Sequence, residues 1–205
     1  MDEFVYLASA SPRRRQLLAQ IGVHFQLLSV DVDESIAAGE AAARYVSRLA
    51  QAKAAAGLVR RVAGSRRPVL GADTAVVAAG AILGKPADCA DAERMLALLS
   101  ARTHEVLTAV ALATDDGVLS HLSRSEVTFR EIAPAEAREY WNTGEGRDKA
   151  GGYAIQGYGA VFVSGLRGSY SGVMGLPLFE TAQLLRAADV PCWLETKGAA
   201  ATDGH

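Results

Sequence analysis

The sequence predicts a mixed α/β fold, and three observations carry that expectation. Short apolar runs rich in branched residues recur along the chain, alanine- and leucine-rich stretches at helical spacing separate them, and one late stretch reads as an antiparallel hairpin. Phe4 to Ala8 predicts a buried strand, and Ser11-Pro12 then opens a helix to about Ile21, stopped near Gly22. Phe25 to Val32 predicts a second strand, running into the acidic group Asp31, Asp33 and Glu34. Glu40 to Val62 predicts a long helix whose apolar face is formed by Tyr45, Leu49, Ala52, Ala56 and Val59. Pro68 to Ala72, Thr74 to Ala79 and Ile82-Leu83 are expected as short strands, the last two joined by an Ala79-Gly80 turn. Asp88 and Asp91 precede a helix with Ala92, Met95, Leu96 and Leu99 inward.

Val106 to Thr114 and Val118 to Phe129 flank Asp115-Asp116-Gly117 and form the clearest hairpin. Pro134 starts a helix through Trp141, ending near Gly144. Gly144 to Gly159, rich in glycine and polar groups, reads as a functional loop, Val161 to Val163 as a strand, and Gly168 to Pro177 as constrained turns. Pro177 to Ala188 closes the series as an amphipathic helix. The expected organisation is one domain over residues 1–190 and a C-terminal extension over 191–205, its polar end from Lys197 to His205 frayed.

Composition narrows the function classes. The chain has 205 residues, 50% of them hydrophobic, which is enough to bury a core without a metal or disulfide staple. With 21 Lys and Arg against 23 Asp and Glu the formal charge is −2, so no global field draws nucleic acid or anionic lipid, and any anion site must be local. Arg60, Arg61, Arg66 and Arg67 cluster without interleaved aromatics and read as a solvated helix end. Two cysteines, Cys89 and Cys192, suit a reducing compartment. Asp2 and Glu3 precede a short apolar run, unlike a secretory signal, and no span suits a membrane, so cytoplasm is the expected location. His24, His104, His121 and His205 lack the spacing of a zinc motif.

Four clusters have the residue types for phosphate chemistry. Ser9-Ala10-Ser11-Pro12-Arg13-Arg14-Arg15 lies between a strand and a helix, where hydroxyls, backbone N–H groups and guanidinium forks hold phosphate oxygens; the same residues equally serve as a helix cap with a solvated face. The glycine spacing of nucleotide-cradling loops is absent. Asp31, Asp33 and Glu34, with Lys53 on the following helix, suit a magnesium-type ion or a simple turn. Gly71-Ala72-Asp73-Thr74 ends an apolar run, placing one carboxylate to bind metal or take a proton from water, unless it is only a turn former. Lys85-Pro86 follows the short hairpin and offers an ammonium. Asp148 to Gly157 combines an ion pair with Gln156, whose amide matches the donor and acceptor edge of a base.

Together, Ser9-Ala10-Ser11-Pro12-Arg13-Arg14, Asp33-Glu34, Gly71-Ala72-Asp73-Thr74, Lys85-Pro86, Asp148-Lys149-Ala150-Gly151, Gln156-Gly157 and Gly175-Leu176-Pro177 resemble the Maf family of nucleoside triphosphate pyrophosphatases, from about Val5 to Leu185. The resemblance implies a single mixed-sheet domain with two lobes around a cleft, similar to the inosine triphosphate pyrophosphatase fold, and a homodimer. It implies hydrolysis of a nucleoside triphosphate to monophosphate and pyrophosphate. By resemblance Asp73 is the catalytic base, and Arg13, Thr74 and Gln156 select substrate as in the dTTP and UTP branch. Ser9, Arg14, Lys53 and Lys85 are implied as phosphate or cleft groups, and Glu34 with Asp73 as ligands of Mg²⁺ or Mn²⁺. Two departures stand out: Gly84 replaces a commonly acidic residue before Lys85, and Gly152 is expected to loosen the loop after Asp148. The alternatives are the same chemistry on another modified nucleotide, or a nucleotide-binding regulator of cell division.

Overall fold

The computed structural model describes residues 4–193; the expected frayed end from Lys197 to His205 lies outside them. Strands β1 (Val5–Leu7), β2 (Phe25–Leu27), β3 (Val69–Ala78), β4 (Ala81–Leu83), β5 (Thr103–Thr114), β6 (Gly117–Phe129) and β7 (Val163–Arg167) form one mixed sheet in the order β2-β1-β3-β5-β6-β7, with β4 also on β3. The helices are α1 (Pro12–Gln20), α2 (Ala42–Arg60), α3 (Cys89–Leu99), α4 (Pro134–Asn142), α5 (Tyr170–Met174) and α6 (Leu178–Ala187).

Strand alternation divides the packing between the two faces of the sheet. Leu70, Ala72 and Val76 of β3 join Leu17 and Leu18 of α1, Leu96 and Leu99 of α3, Tyr140 of α4 and Leu184 and Leu185 of α6 in the larger core. Ala75 of β3 and Leu107, Ala109 and Ala111 of β5 face the other way and pack against Val46, Ala50 and Ala54 of α2. The small residues between α2 and the sheet bring helix and strand unusually close. A Cβ built on Gly71 would lie 2.4 Å from the Ala50 carbonyl oxygen and 2.6 Å from the Ala54 nitrogen.

This topology opens a gap at the middle of β3. Its start pairs in parallel with β1 through Tyr6↔Val69 and Leu7↔Leu70, its end pairs with β4 through Val76↔Leu83 to Ala78↔Ala81, and β5 follows the opposite edge throughout. Among the described residues, no strand covers Gly71 to Ala75 on the β1 and β4 edge. The gap is a cleft of about 960 Å³. One lobe, with β1, α1 and β2, contributes Ala8 to Arg14 and Leu27 to Val30 to its lining; the other contributes Ile82 to Lys85 and parts of residues 148–156. The placement follows the rule that ligands of open α/β sheets bind beyond the carboxyl ends of parallel strands, where the strand order diverges.

Several elements differ from the expectation. Phe25 to Val32 is strand only to Leu27, because β1 is itself three residues long and offers no partner beyond Leu7. The two strands expected around Asp73 are one continuous strand, held by the β5 ladder through Asp73↔Ala109. The buried face of α2 is Val46, Leu49, Ala50, Ala54 and Gly57, rotated from the one expected, and Val59 is 86% exposed. Alanine gives too little contrast between faces to set that rotation from sequence. Residues Tyr158–Phe162 form a one-turn 3-10 helix, so β7 begins only at Val163, and the turn expected near Gly172 is α5, capped by Ser169 Oγ accepting from the Gly172 nitrogen at 2.9 Å. Asp88 caps α3, accepting from the Asp91 nitrogen at 2.8 Å, while Asp91 accepts from the Ala87 nitrogen at 3.1 Å.

His104 proves to be a core residue. Its Nε2 lies 2.8 Å from Tyr153 Oη, and its ring meets Phe129 edge-on with centroids 4.9 Å apart. Its Nδ1 is buried and has no hydrogen-bond partner among the described residues, so a protonated ring would carry an unsatisfied donor. Burial accordingly pushes its pKa from 6.5 down to about 4. The unfolded chain then binds the extra proton first as pH falls, and the stability His104 gives as a neutral ring is complete above pH 6.5 and lost on descending to about 4. The loss amounts to about 3 kcal/mol. Denaturant melts between pH 7 and 4 are expected to show this slope, and His104→Gln, which keeps a polar partner for Tyr153 but does not titrate, is expected to flatten it.

Candidate active site

The nine residues that the family resemblance marks, Ser9, Arg13, Arg14, Glu34, Lys53, Asp73, Thr74, Lys85 and Gln156, line the same cleft, while Asp31 and Asp33 do not. Alternation along β3 sends Asp73 toward α2 and Thr74 toward α1 and α5. The close approach at Gly71 then sets Lys53, one turn along α2 from Ala50, directly over Asp73. Lys53 Nζ donates to Asp73 Oδ1 at 2.7 Å and meets Glu34 Oε1 at 2.6 Å. One ammonium thus bridges two carboxylates from separate segments. Asp73 is only 8% exposed, and burial raises its pKa above the ordinary carboxylate value while Lys53 and Arg14 pull it back. Burial acts on Glu34 in the same sense, but the bond and charge of Lys53, with Lys85 and Arg14, outweigh it and leave its pKa lowered.

On the other side Arg14 spans the cleft floor. Its Nε donates to the Gly175 carbonyl at 2.7 Å, Nη1 to Ser9 Oγ at 3.1 Å and Nη2 to Thr74 Oγ1 at 3.3 Å. Burial lowers its pKa, yet guanidinium stays charged in proteins, so the floor carries a fixed positive charge. Ser9 does not cap α1: Ser11 is the N-cap residue without a side-chain cap bond, and Ser9 Oγ accepts from the Ser11 nitrogen at 3.2 Å. Arg13 Nε donates to the Met174 carbonyl at 3.2 Å, and the residue lines the cleft. Lys85 is exposed at the opposite rim. The floor is cationic, one wall holds the Asp73 carboxylate, and the rim adds an ammonium: an arrangement that binds a polyanion beside a potential base.

The family model described as Maf-like protein matches residues 4–188 of this chain. The chain belongs to the Maf family. It is 58% identical to a dTTP/UTP pyrophosphatase of Saccharophagus degradans over 92% of this chain and 90% of the relative. Similar proteins of the same name in Aromatoleum aromaticum, 53% identical over 91% of this chain and 96% of the relative, and Pseudoalteromonas translucida, 52% identical over 91% and 97%, agree in length and coverage.

Around this Maf cleft, three further residues support the site through contacts that form only on folding. Tyr45 of α2 lines the cleft and donates its hydroxyl to the Glu34 carbonyl at 3.1 Å, fixing the segment that carries Glu34. Thr108 pairs with Thr74 in the β5 ladder; its Oγ1 donates to the Gly172 carbonyl at 2.7 Å and lies 3.0 Å from Thr74 Oγ1. Glu145 organises the loop that carries Gln156. Asp33, by contrast, turns away from the cleft and accepts from the Ser35 nitrogen at 2.9 Å. Gly84 lines the cleft with no heavy atom within 4 Å of where a Cβ would stand, and its carbonyl accepts from the Gly151 nitrogen at 2.9 Å. Gly152 lies in a tight stretch of the loop. With Gly151 it forms two consecutive left-handed residues, φ 72° and 73°, a path glycine allows and other residues resist, and both are buried.

Glu34 and Asp73 also fit the donor set of a magnesium-type ion, which takes one or two protein carboxylates and completes its shell with substrate phosphates and water. That one cation, the Lys53 ammonium, already reaches both carboxylates shows their oxygens converge on a position that favours positive charge.

Proposed function

We propose that this protein hydrolyses dTTP and UTP to the monophosphate and pyrophosphate. The observation that carries the reading is the buried Asp73 carboxylate, held by Lys53, in the same cleft as Arg13, Arg14, Thr74 and Gln156. Membership of the Maf family and relatives at 58% and 53% identity named for this activity support it. In this reading Arg14 on the floor and Lys85 on the rim neutralise the triphosphate, and Ser9 donates its hydroxyl to a phosphate oxygen. Asp73 orients a water and accepts its proton as the oxygen attacks the α-phosphorus, and pyrophosphate leaves. In the metal-free cleft burial favours the protonated form of Asp73, the direction that suits a general base. Lys53 holds the carboxylate in one orientation and offsets the charge that builds up beside it. Arg13, Thr74 and Gln156 select the nucleotide, Gln156 by pairing with the base edge.

Mg²⁺ or Mn²⁺ would be held by Glu34 and Asp73 together with phosphate oxygens; when bound, the ion supplies charge neutralisation on the triphosphate. A homodimer and a cytoplasmic setting belong to the same proposal, the first supported by the family likeness and the second by a cysteine content of two, too low for a disulfide framework. Among the described residues no helix is long and apolar enough to cross a membrane.

The test is a product analysis of purified protein with dTTP, UTP, CTP, GTP, methylated GTP and ATP in Mg²⁺, separating monophosphate plus pyrophosphate from diphosphate plus phosphate. Cleavage of dTTP and UTP to monophosphates above the others is expected. Tight nucleotide binding without turnover across the panel, in folded protein, would overturn the enzyme reading in favour of a binding regulator.

A further inference from the structure

Gln156 sits on an exposed arch whose two ends are tied to one pair of side chains, buried Tyr140 and half-buried Glu145. Before the arch, the Ala154 nitrogen donates to Tyr140 Oη at 3.1 Å; after it, the Tyr158 and Gly159 nitrogens donate to Glu145 Oε1 at 2.9 Å and Oε2 at 2.8 Å. Tyr140 closes the loop by donating its hydroxyl to Glu145 Oε2 at 2.8 Å. Burial first, and then the bond to Glu145, pushes the Tyr140 pKa up, so its hydroxyl stays a donor at neutral pH. The arch is also tight against the clamp. A Cβ on Gly157 would stand 1.8 Å from Glu145 Oε1, and one on Gly159 would stand 2.4 Å from the Ala154 carbonyl oxygen and 2.9 Å from Tyr140 Oη. Below it, Tyr153 is 5% exposed and packs edge-on against Phe129 with centroids 4.7 Å apart, which anchors the arch to the sheet.

We propose that Glu145, through Tyr140 and the backbone of residues 154–159, is a positioning residue that fixes the Gln156 amide and so sets base selectivity. The inference rests on the proposed pairing of Gln156 with the base. An amide presents a donor and an acceptor, and it tells thymine from cytosine only if its orientation is fixed, since thymine carries an acceptor oxygen where cytosine carries an amino donor. Glu145 receives three donors, the hydroxyl of Tyr140 and the nitrogens of Tyr158 and Gly159. A carboxylate accepts all three; a carboxamide has one acceptor oxygen and sets an NH₂ group against at least one of them. Glu145→Gln therefore loosens the arch with almost no change of volume.

The experiment is a double-mutant cycle on Glu145→Gln and Gln156→Ala, reading kcat/KM for dTTP and for dCTP. Each single variant is expected to lower the dTTP-over-dCTP ratio by about tenfold, mostly through KM for dTTP, with the double variant no worse than Gln156→Ala alone. A merely structural role would depress both substrates equally or add to the Gln156 effect. If Gln156→Ala lowers the ratio while Glu145→Gln leaves it unchanged, or if the two effects multiply, the positioning role is overturned and base reading by Gln156 stands. If Gln156→Ala itself leaves the ratio unchanged, base reading fails and the positioning role falls with it. Should Glu145→Gln not fold, Tyr140→Phe, which removes the hydroxyl shared by Ala154 and Glu145, takes its place in the same cycle.

Discussion

Asp73→Asn is expected to lower kcat on dTTP by about 10²–10⁴-fold, the usual contribution of a positioned general base. The expectation follows from geometry. Asp73 is the buried carboxylate of the cleft, fixed by Lys53 at 2.7 Å, and a carboxamide of the same shape cannot take a proton from water. Binding is expected to survive, because Arg14, the cation of the cleft floor, and its partner Ser9 belong to other elements. So is folding: burial already works against the charged form of Asp73, so neutralising it offsets part of the lost ion pair with Lys53. Steady-state kinetics with a thermal melt of the same preparation check both halves. A folded Asp73→Asn protein with full turnover would remove Asp73 from the role of base and leave Glu34, across Lys53, as the carboxylate to test next.

The second large effect is structural. Gly71→Ala is expected to destabilise the fold by about 1–3 kcal/mol or more through overpacking, lowering Tm by about 2–4 °C for each kcal/mol. The new methyl would meet the Ala50 oxygen at 2.4 Å and the Ala54 nitrogen at 2.6 Å, which are helix backbone atoms with no rotamer to yield. Relief comes only by lifting α2 off β3, and α2 carries Lys53 between those contacts. The variant should therefore lose activity beyond its loss of stability when assayed well below its Tm. An unchanged Tm with full activity would mean that the close approach of α2 does not position the catalytic pair.

The two effects show which parts of the site were legible in the sequence. Residues that act from short local patterns were: Ser9, Arg13 and Arg14 between a strand and a helix, Asp73 and Thr74 after a glycine, Lys85 after a turn and Gln156 in a glycine-rich loop all reach the cleft. Their side-chain chemistry and their spacing sit within a few neighbouring residues, which a single chain displays. What joins them is long-range. Thr108 meets Thr74 only through a ladder register 34 residues apart, and that register depends on strand pairing. Glu145 looks like one acid among many until the chain folds Tyr158 and Gly159 back onto it. The rotation of α2 was hidden by its alanines, yet it decides that Lys53 faces Asp73. Gly71 was visible as a residue, but its purpose, a backbone approach between helix and strand, exists only in the folded sheet.

In the proposed reaction, water held by Asp73 attacks the α-phosphorus of a pyrimidine nucleoside triphosphate. Hydrolysis of dTTP in H₂¹⁸O, with mass analysis of both products, tests it most directly. The label is expected in the thymidine monophosphate, with none in the pyrophosphate. Label in the pyrophosphate, or products of diphosphate and labelled phosphate, would place the attack on another phosphorus and contradict the assigned mechanism.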